Sequence, residues 1–351
     1  MIITLPDTTT RAIAKQLVQL REQGGDGATG RVLTLIVLSR SEDDLEDIIA
    51  TANNVSREHP SRVLVLISGE PRGANRLDAE IHMGGDAGAA EIVVMHLEGE
   101  VGEHPEALVT PLLLPDTPVV AWWPSTAPQV PAATLIGQIA QRRITDSLTD
   151  PDKEAVYTRR TGYTPGDSDL AWSRLTPWRG VLASALDLPP HEPIIAVEIS
   201  GSDDNPSVDL AAGWLADRLG VPVHRVMNGS PMVPVDDRDR PMNSIESVIL
   251  RRASGADVVF SIENATTACV TIGDRPPFKV ALSRRSTVDC LAEELRHLDP
   301  DLAYARALRG LSRIRLVKPG SEPSRAGSTA AGTQSPIGTS FAKENSNDSQ
   351  R

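Results

Sequence analysis

Apolar positions along this chain switch between helical and strand periods in a regular order. Ile13, Leu17 and Leu20 recur at helical spacing behind the cap candidates Thr8, Thr9 and Thr10, and Gly24 and Gly25 close the segment, which predicts an amphipathic helix. GRVLTLIVL (30–38) is a continuous apolar run and predicts a central strand covered on both faces. Ser41 and Asp44 form a capping-box pattern ahead of Leu45, Ile48, Ile49, Ala52 and Val55, which share one helical stripe, and SRVLVLI (61–67) predicts the next strand. That order is a βαβ unit. Further strands are expected at 77–82, 91–97 and 119–123, with helical or loop material at 102–114 and a short helix at 135–142.

The pattern then repeats. IIAVEIS (194–200) predicts a strand, and Asn205 as N-cap with Pro206 behind it opens a helix carrying Val208, Ala211, Ala212, Leu215 and Leu219 as far as Gly220. A strand at 221–226 completes a second βαβ arrangement. A helix is expected at 244–253, then an antiparallel meander of short strands at 258–262, 268–272 and 278–282, with turn signals at Gly273-Asp274 and Pro276-Pro277. Helices from Ser286 through Leu298 and over 302–311 follow. Residues 319–351 are Ser, Gly, Thr, Ala and polar residues without periodicity, expected to form a disordered tail. The expected class is α/β, with two domains that each carry a mixed β-sheet covered by helices: an N-terminal domain at 1–130, a connecting region rich in Trp and Arg at 131–190 and a C-terminal domain at 191–315.

Composition fits that picture, since 351 residues with 40% hydrophobic and 23% charged residues suffice for two cores. A net charge of −12 repels phosphate backbones and anionic lipid, so neither nucleic acid nor membrane is expected as a partner. Residues 1–7 carry no basic region leading into an apolar stretch, and no apolar run is long enough to span a bilayer, so a cytoplasmic location is expected. Cys269 and Cys290 lack CxxC spacing and are expected to be ordinary thiols.

No catalytic or cofactor motif stands in its proper context. Residues 25–30 (GDGATG) spell GxGxxG, but the pattern follows a helix and opens a strand, the reverse of the order that seats a pyrophosphate on a helix N-terminus, so a loop is expected. Walker A, HExxH and GxSxG are absent from the sequence. The seven histidines are scattered without i, i+4 spacing. Acidic runs at 42–44 and 236–239 read as a helix start and a solvated loop. No catalytic, cofactor-binding or metal-binding residue is assigned, and no cofactor is expected.

One stretch is unusual. Aromatic residues are only 3% of the chain, yet Trp122, Trp123, Tyr157, Tyr163, Trp172 and Trp178 fall within about sixty residues, beside Arg142, Arg143, Arg159, Arg160, Arg174 and Arg179. Such residues dominate binding hot spots. They also serve as cement between domains, with arginines capping helices and pairing acids. Both readings stay open on composition.

LLPDTPVVAWWP (113–124), RRITDS (142–147) and DLAWSRLTPWR (169–179), preceded by GRVLTLIV (30–37) and followed by ELRHLDPDLAYARAL (294–308), resemble the OpcA family of glucose-6-phosphate dehydrogenase assembly proteins. The likeness runs in order from about residue 1 to residue 312. It implies a non-catalytic accessory protein of the oxidative pentose phosphate pathway that binds the dehydrogenase, promotes its active oligomer and acts as an allosteric activator supporting NADPH generation. The low cysteine count departs from photosynthetic members, whose system is associated with thiol redox control, and speaks against such control through Cys269 or Cys290. The residues expected to contact the dehydrogenase are Trp122, Trp123, Arg142, Arg143, Trp172, Arg174, Trp178 and Arg179. The alternative is a sugar-phosphate sensor or enzyme, with the arginines lining an anion pocket at the domain seam. Weak sugar-phosphate binding is left open, and it separates the two readings, since a pure adaptor is expected to show no heat with glucose 6-phosphate or 6-phosphogluconate.

Overall fold

The computed structural model describes residues 1–24, 31–83, 91–227, 245–264 and 266–318. The glycine-rich 25–30, the acidic run at 236–239 and the tail from 319 lie outside the described residues. In chain order the first half holds β1 (Ile2–Leu5), α1 (Thr10–Gly24), β2 (Leu33–Arg40), α2 (Leu45–Glu58), β3 (Ser61–Ser68), β4 (Arg76–Met83), β5 (Glu91–Glu98), α3 (Pro105–Val109) and β6 (Val119–Trp122). There follow α4 (Leu135–Ile139), β7 (Arg142–Thr145), α5 (Ala155–Gly162), β8 (Asp167–Asp169), α6 (Leu170–Ser173) and α7 (Thr176–Leu186). The rest comprises β9 (Ile194–Gly201), α8 (Pro206–Leu219), β10 (Val223–Met227), β11 (Ile245–Arg252), β12 (Val258–Asn264), β13 (Thr267–Ile272), β14 (Phe278–Ala281), α9 (Thr287–Arg296), α10 (Leu302–Gly310) and β15 (Ile314–Val317).

The fold is α/β with two mixed sheets. The first has the order β1-β4-β5-β3-β2-β6-β7-β8, parallel from β5 through β8, with β1 and β4 antiparallel at one side. The expected strand β2 sits in its middle, with Leu33 through Val37 buried on both faces. The second sheet has the order β14-β13-β12-β11-β9-β10-β15, and the expected βαβ unit is its parallel part. The meander β12 to β14 is antiparallel, as the short runs and turn signals predicted, and β11 joins it on the β12 side.

Helix ends follow local chemistry. Asn205 caps α8 by accepting from Ser207 N at 3.0 Å, with Pro206 behind it, and Gly220 ends the helix at φ 67°, a conformation glycine takes without steric cost. Ser286 and Asp289 form a reciprocal capping box on α9. At the head of α2 the cap is Asp44 itself, accepting from Asp47 N at 3.0 Å, so the box expected at Ser41 is displaced to a single Asp cap. Helices α8 and α10 cross at Gly213 and Gly310, where a methyl group on Gly310 would lie 1.9 Å from the Gly213 carbonyl oxygen. That crossing brings α10 onto the core of the second sheet.

Two sequence expectations are corrected. Residues 245–252 form strand β11 and not a helix: Ile245, Val248, Ile249 and Leu250 mimic helical spacing, but β-branched side chains and ladders to β9 and β12 on either side win, burying Val248, Leu250 and Arg252 in alternation. The helix expected at 135–142 stops at Ile139, because Arg142 to Thr145 pair with both β6 and β8 as β7.

Apolar packing is arranged in three cores. One face of the first sheet packs on α2 and α9, bringing Leu35, Val37, Ile48, Val120, Trp122 and Leu291 together. The other face packs on α1 and α4, with Ile13, Leu17, Ile36, Ala121, Trp123 and Ile136. The third core lies on the second sheet and takes in Trp172, Trp178, Val208, Phe260 and Tyr304.

Candidate functional site

The eight residues expected to contact a partner do not form one patch, and the reason is the two-residue period of a strand. Trp122 and Trp123 are adjacent, so their side chains leave β6 on opposite faces and enter different cores. Arg142 and Arg143 separate the same way on β7. The Arg142 guanidinium donates to the Glu294 carboxylate on α9 and, at 2.7 Å, to the Asp299 carbonyl oxygen. Arg143 turns to the other face, donating to Asp167, its neighbour across the β7–β8 ladder, and at 2.7 Å to the Ala140 carbonyl at the end of α4.

Trp172, Arg174 and Trp178 also lie inside, so seven of the eight are buried. Arg174 makes a two-pronged bridge to Asp146 at 2.7 Å on each side. Trp172 donates its indole N–H to Asp301 at 2.7 Å, and its ring sits 6.0 Å from that of Tyr304. Arg179 is the half-buried exception. Its guanidinium lies 3.9 Å over the Trp172 ring and donates to Thr176 Oγ1 at 2.7 Å. Burial pulls its pKa down, against the pull of Asp301 and Glu294.

The acids that hold these arginines are the residues sequence reading passed over. Glu294 accepts from Arg142, Ser168 and Ser173, joining β7, β8 and α6 through one buried carboxylate. Asp169 accepts from Thr145, Ser147 and the Ala171 N–H at the start of α6. Burial pushes its carboxyl up, as does the nearby Asp146, while Arg159 and the hydroxyls push back. Arg159 binds Asp150 and, at 3.0 Å, Ser147 Oγ. Asp169 and Glu294 each open a segment that carries the family resemblance, but the Arg142–Glu294 contact spans 152 positions, which no local spacing rule reaches.

The part of this array held by Asp146, Asp150 and Asp169 sits around the C-terminal ends of β7 and β8, the end of a parallel sheet where ligands commonly bind. Here the protein's own Arg159 and Arg174 fill that place against Asp146, Asp150 and Asp169. A second buried knot lies at the opposite strand ends, where Glu91 takes Arg21, Arg31 and Arg62. Among the described residues no group of three His, Cys, Asp or Glu could hold a metal ion. No helix among them is long and apolar enough to cross a membrane.

Cys290 lies on the buried face of α9, and burial raises its thiol to about 11. Little thiolate forms at pH 8, so Cys290 is expected to resist alkylation in the native protein and to react fully once the chain is unfolded in denaturant. Mass spectrometry after brief iodoacetamide treatment checks this; rapid native labelling at Cys290 would contradict its placement.

These contacts define an α/β protein whose conspicuous tryptophans and arginines lock strands β7 and β8 to helices α6, α9 and α10. Two family models match it, described as the glucose-6-phosphate dehydrogenase subunit N-terminal domain over residues 52–161 and the C-terminal domain over residues 165–308. The chain belongs to the OpcA family. It is 33% identical over 123 residues to the putative OxPP cycle protein OpcA of Synechococcus elongatus, covering 32% of this chain and 27% of that one. It is 26% identical over 234 residues to the protein of the same description from Nostoc punctiforme, covering 61% of this chain and 49% of that one. The chain thus spans about half or less of the curated relatives it matches. Among solved structures, a probable oxidoreductase yhhX aligns with 80% of this chain and 95% of its own at a TM-score of 0.42 and 8% identity. A likeness of that size carries no statement about chemistry.

Proposed function

We propose that this chain is a non-catalytic accessory protein that binds glucose-6-phosphate dehydrogenase, promotes its assembly into the active oligomer and activates it, in the cytoplasm, as part of the oxidative pentose phosphate pathway. The observation that carries this reading is the match to two family models, each described as a domain of a glucose-6-phosphate dehydrogenase subunit, over residues 52–161 and 165–308. The site geometry supports it against a sugar-phosphate sensor, because Arg142, Arg143 and Arg174 spend their guanidiniums on Glu294, Asp167 and Asp146.

An activator of this kind works by linkage, binding the active state of the enzyme more tightly than the inactive one. A tenfold to hundredfold activation needs a preference of about 1.4 to 2.7 kcal/mol, within reach of a few well-buried interface contacts. Of the eight residues first considered, Arg179 is the one with partial exposure and so the one able to contribute directly. The other seven act from inside, by fixing the surface that the partner meets.

The test is co-migration of the purified chain with the dehydrogenase of the same organism in size-exclusion chromatography, together with the dehydrogenase rate at limiting substrate. The expected result is a shared peak and a raised rate. A dehydrogenase that assembles and reaches full rate alone, with no shared peak, would overturn the reading. Calorimetry with glucose 6-phosphate is expected to show no binding heat, and saturable heat would favour the sensor.

A further inference from the structure

We propose that the outer face of the second sheet, the one turned away from α7, α8 and α10, is where two copies of this chain pack sheet against sheet. This goes beyond the accessory reading and stands without it. The strand registers define the face. Glu198, Ile249 and Val259 lie side by side across β9, β11 and β12, and Ser200, Ser247 and Ser261 do so in the next row. The Ser200 and Ser247 hydroxyls hydrogen-bond at 2.8 Å, and the Arg251 guanidinium donates to Glu198 at 2.9 Å, which puts these side chains on one face. The serine row continues onto Cys269 of β13 and Val226 of β10.

Every described helix is engaged elsewhere. Helices α5 to α8 and α10 belong to the core on the opposite face, where Val197, Ile199, Val248, Leu250 and Phe260 take the alternate strand positions. Helices α2 and α9 pack on one side of the first sheet, and α1, α3 and α4 on the other. Val226, Ile249 and Val259 belong to none of the three cores and stay half-buried, apolar positions on a face that a solvated sheet would keep polar.

Size and charge choose the occupant. Seven strands spaced about 4.8 Å apart, with about six residues each at about 3.3 Å, make a face of about 700 Å² in projection, close to the roughly 800 Å² per partner of a stable interface. The chain carries 35 basic and 47 acidic residues, so two copies repel over most of their surfaces. On this face the charges are answered in place. Arg251 pairs with Glu198 and Asp257, Lys279 pairs with Glu263, and Arg315 adds a further cation beside His224. No acidic excess is left there to hold a twin away. A flat sheet is complemented by another laid about 10 Å above it, and a second copy supplies one of the same outline and charge, with a twofold axis setting the patch against itself.

The experiment uses the full chain. Light scattering behind a size-exclusion column is expected to give twice the chain mass, falling toward the mass of one copy on dilution. Ile249→Arg puts a charge on the central strand of the face, and Ser261→Arg puts one at an exposed position that the fold tolerates. Either is expected to weaken self-association at least about tenfold. Leu302→Arg, at an exposed position of α10 on the helix side, is expected to leave it within about twofold. Circular dichroism and thermal unfolding establish that each variant keeps its fold. The unmodified chain carries its own reporter, since Cys269 is half-buried on the same face and its alkylation is expected to slow as concentration rises. The mass of one copy at every concentration overturns the proposal. So do folded Ile249→Arg and Ser261→Arg chains that associate as tightly as the parent, or Cys269 alkylation indifferent to concentration. A monomeric parent whose capture of the dehydrogenase is lost with Ser261→Arg gives the face to the enzyme and not to a second copy, and an equal loss of self-association with Leu302→Arg puts the contact on another surface.

Discussion

Glu294→Ala is expected to cost about 3–5 kcal/mol of folding stability, a large part of the total for a domain of ordinary stability. Glu294 is 4% exposed, and its carboxylate is the common acceptor for Arg142, Ser168 and Ser173. Removing it leaves the Arg142 guanidinium, itself 3% exposed, with only the Asp299 carbonyl to receive it. Two buried hydroxyls lose their acceptor at the same time. The cost therefore comes from what is stranded and exceeds any net gain the pair provided, since a buried ion pair is dear to break even where it adds little when intact. Urea unfolding followed by far-ultraviolet circular dichroism measures the loss. The pair Arg142→Met with Glu294→Leu removes both charges together and is expected to recover most of it. A loss below about 1 kcal/mol for Glu294→Ala would mean that Arg142 finds water or another acid.

The same carboxylate explains what could be read beforehand and what could not. Strands β2, β3 and β5 were readable because their apolar runs are local and continuous, and α8 because Asn205, Pro206 and Gly220 mark both of its ends within the segment itself. β11 was misread because four apolar residues in a row of six satisfy a helical stripe as well as a strand, and only the pairing with β9 and β12 decides between them. The site was readable as a composition and not as an arrangement. Clustered Trp and Arg residues announced that 122–179 does something unusual, but alternation along β6 and β7 divides the adjacent pairs between opposite faces of the sheet. Their acidic partners come from positions such as 167, 294 and 301, which the fold alone brings near.

Trp172→Ala is expected to destabilise the protein by about 3–5 kcal/mol, lowering its unfolding temperature by on the order of 10 °C, whereas Arg179→Ala is expected to cost about 0.5–1 kcal/mol. The two residues touch, with the guanidinium 3.9 Å over the indole ring, but their surroundings differ. Trp172 is 1% exposed, packs with Tyr304 and holds the Asp301 carboxylate that caps α10, accepting from Ala303 N and Tyr304 N. Its loss opens a large cavity and frees the joint between α6 and α10. Arg179 forfeits only a stacked cation and one hydrogen bond to Thr176. A doubly substituted chain would consequently report on folding before it reported on partner binding, and the informative comparison is between the single variants. Thermal unfolding is measured first; activation of the dehydrogenase is then measured on whichever variant keeps its fold. Arg179→Ala is expected to stay folded, so any fall in activation with it reports a contact across the interface, because the frame beneath is intact. A folded Trp172→Ala with unchanged unfolding temperature would mean that the indole is not part of that frame at all.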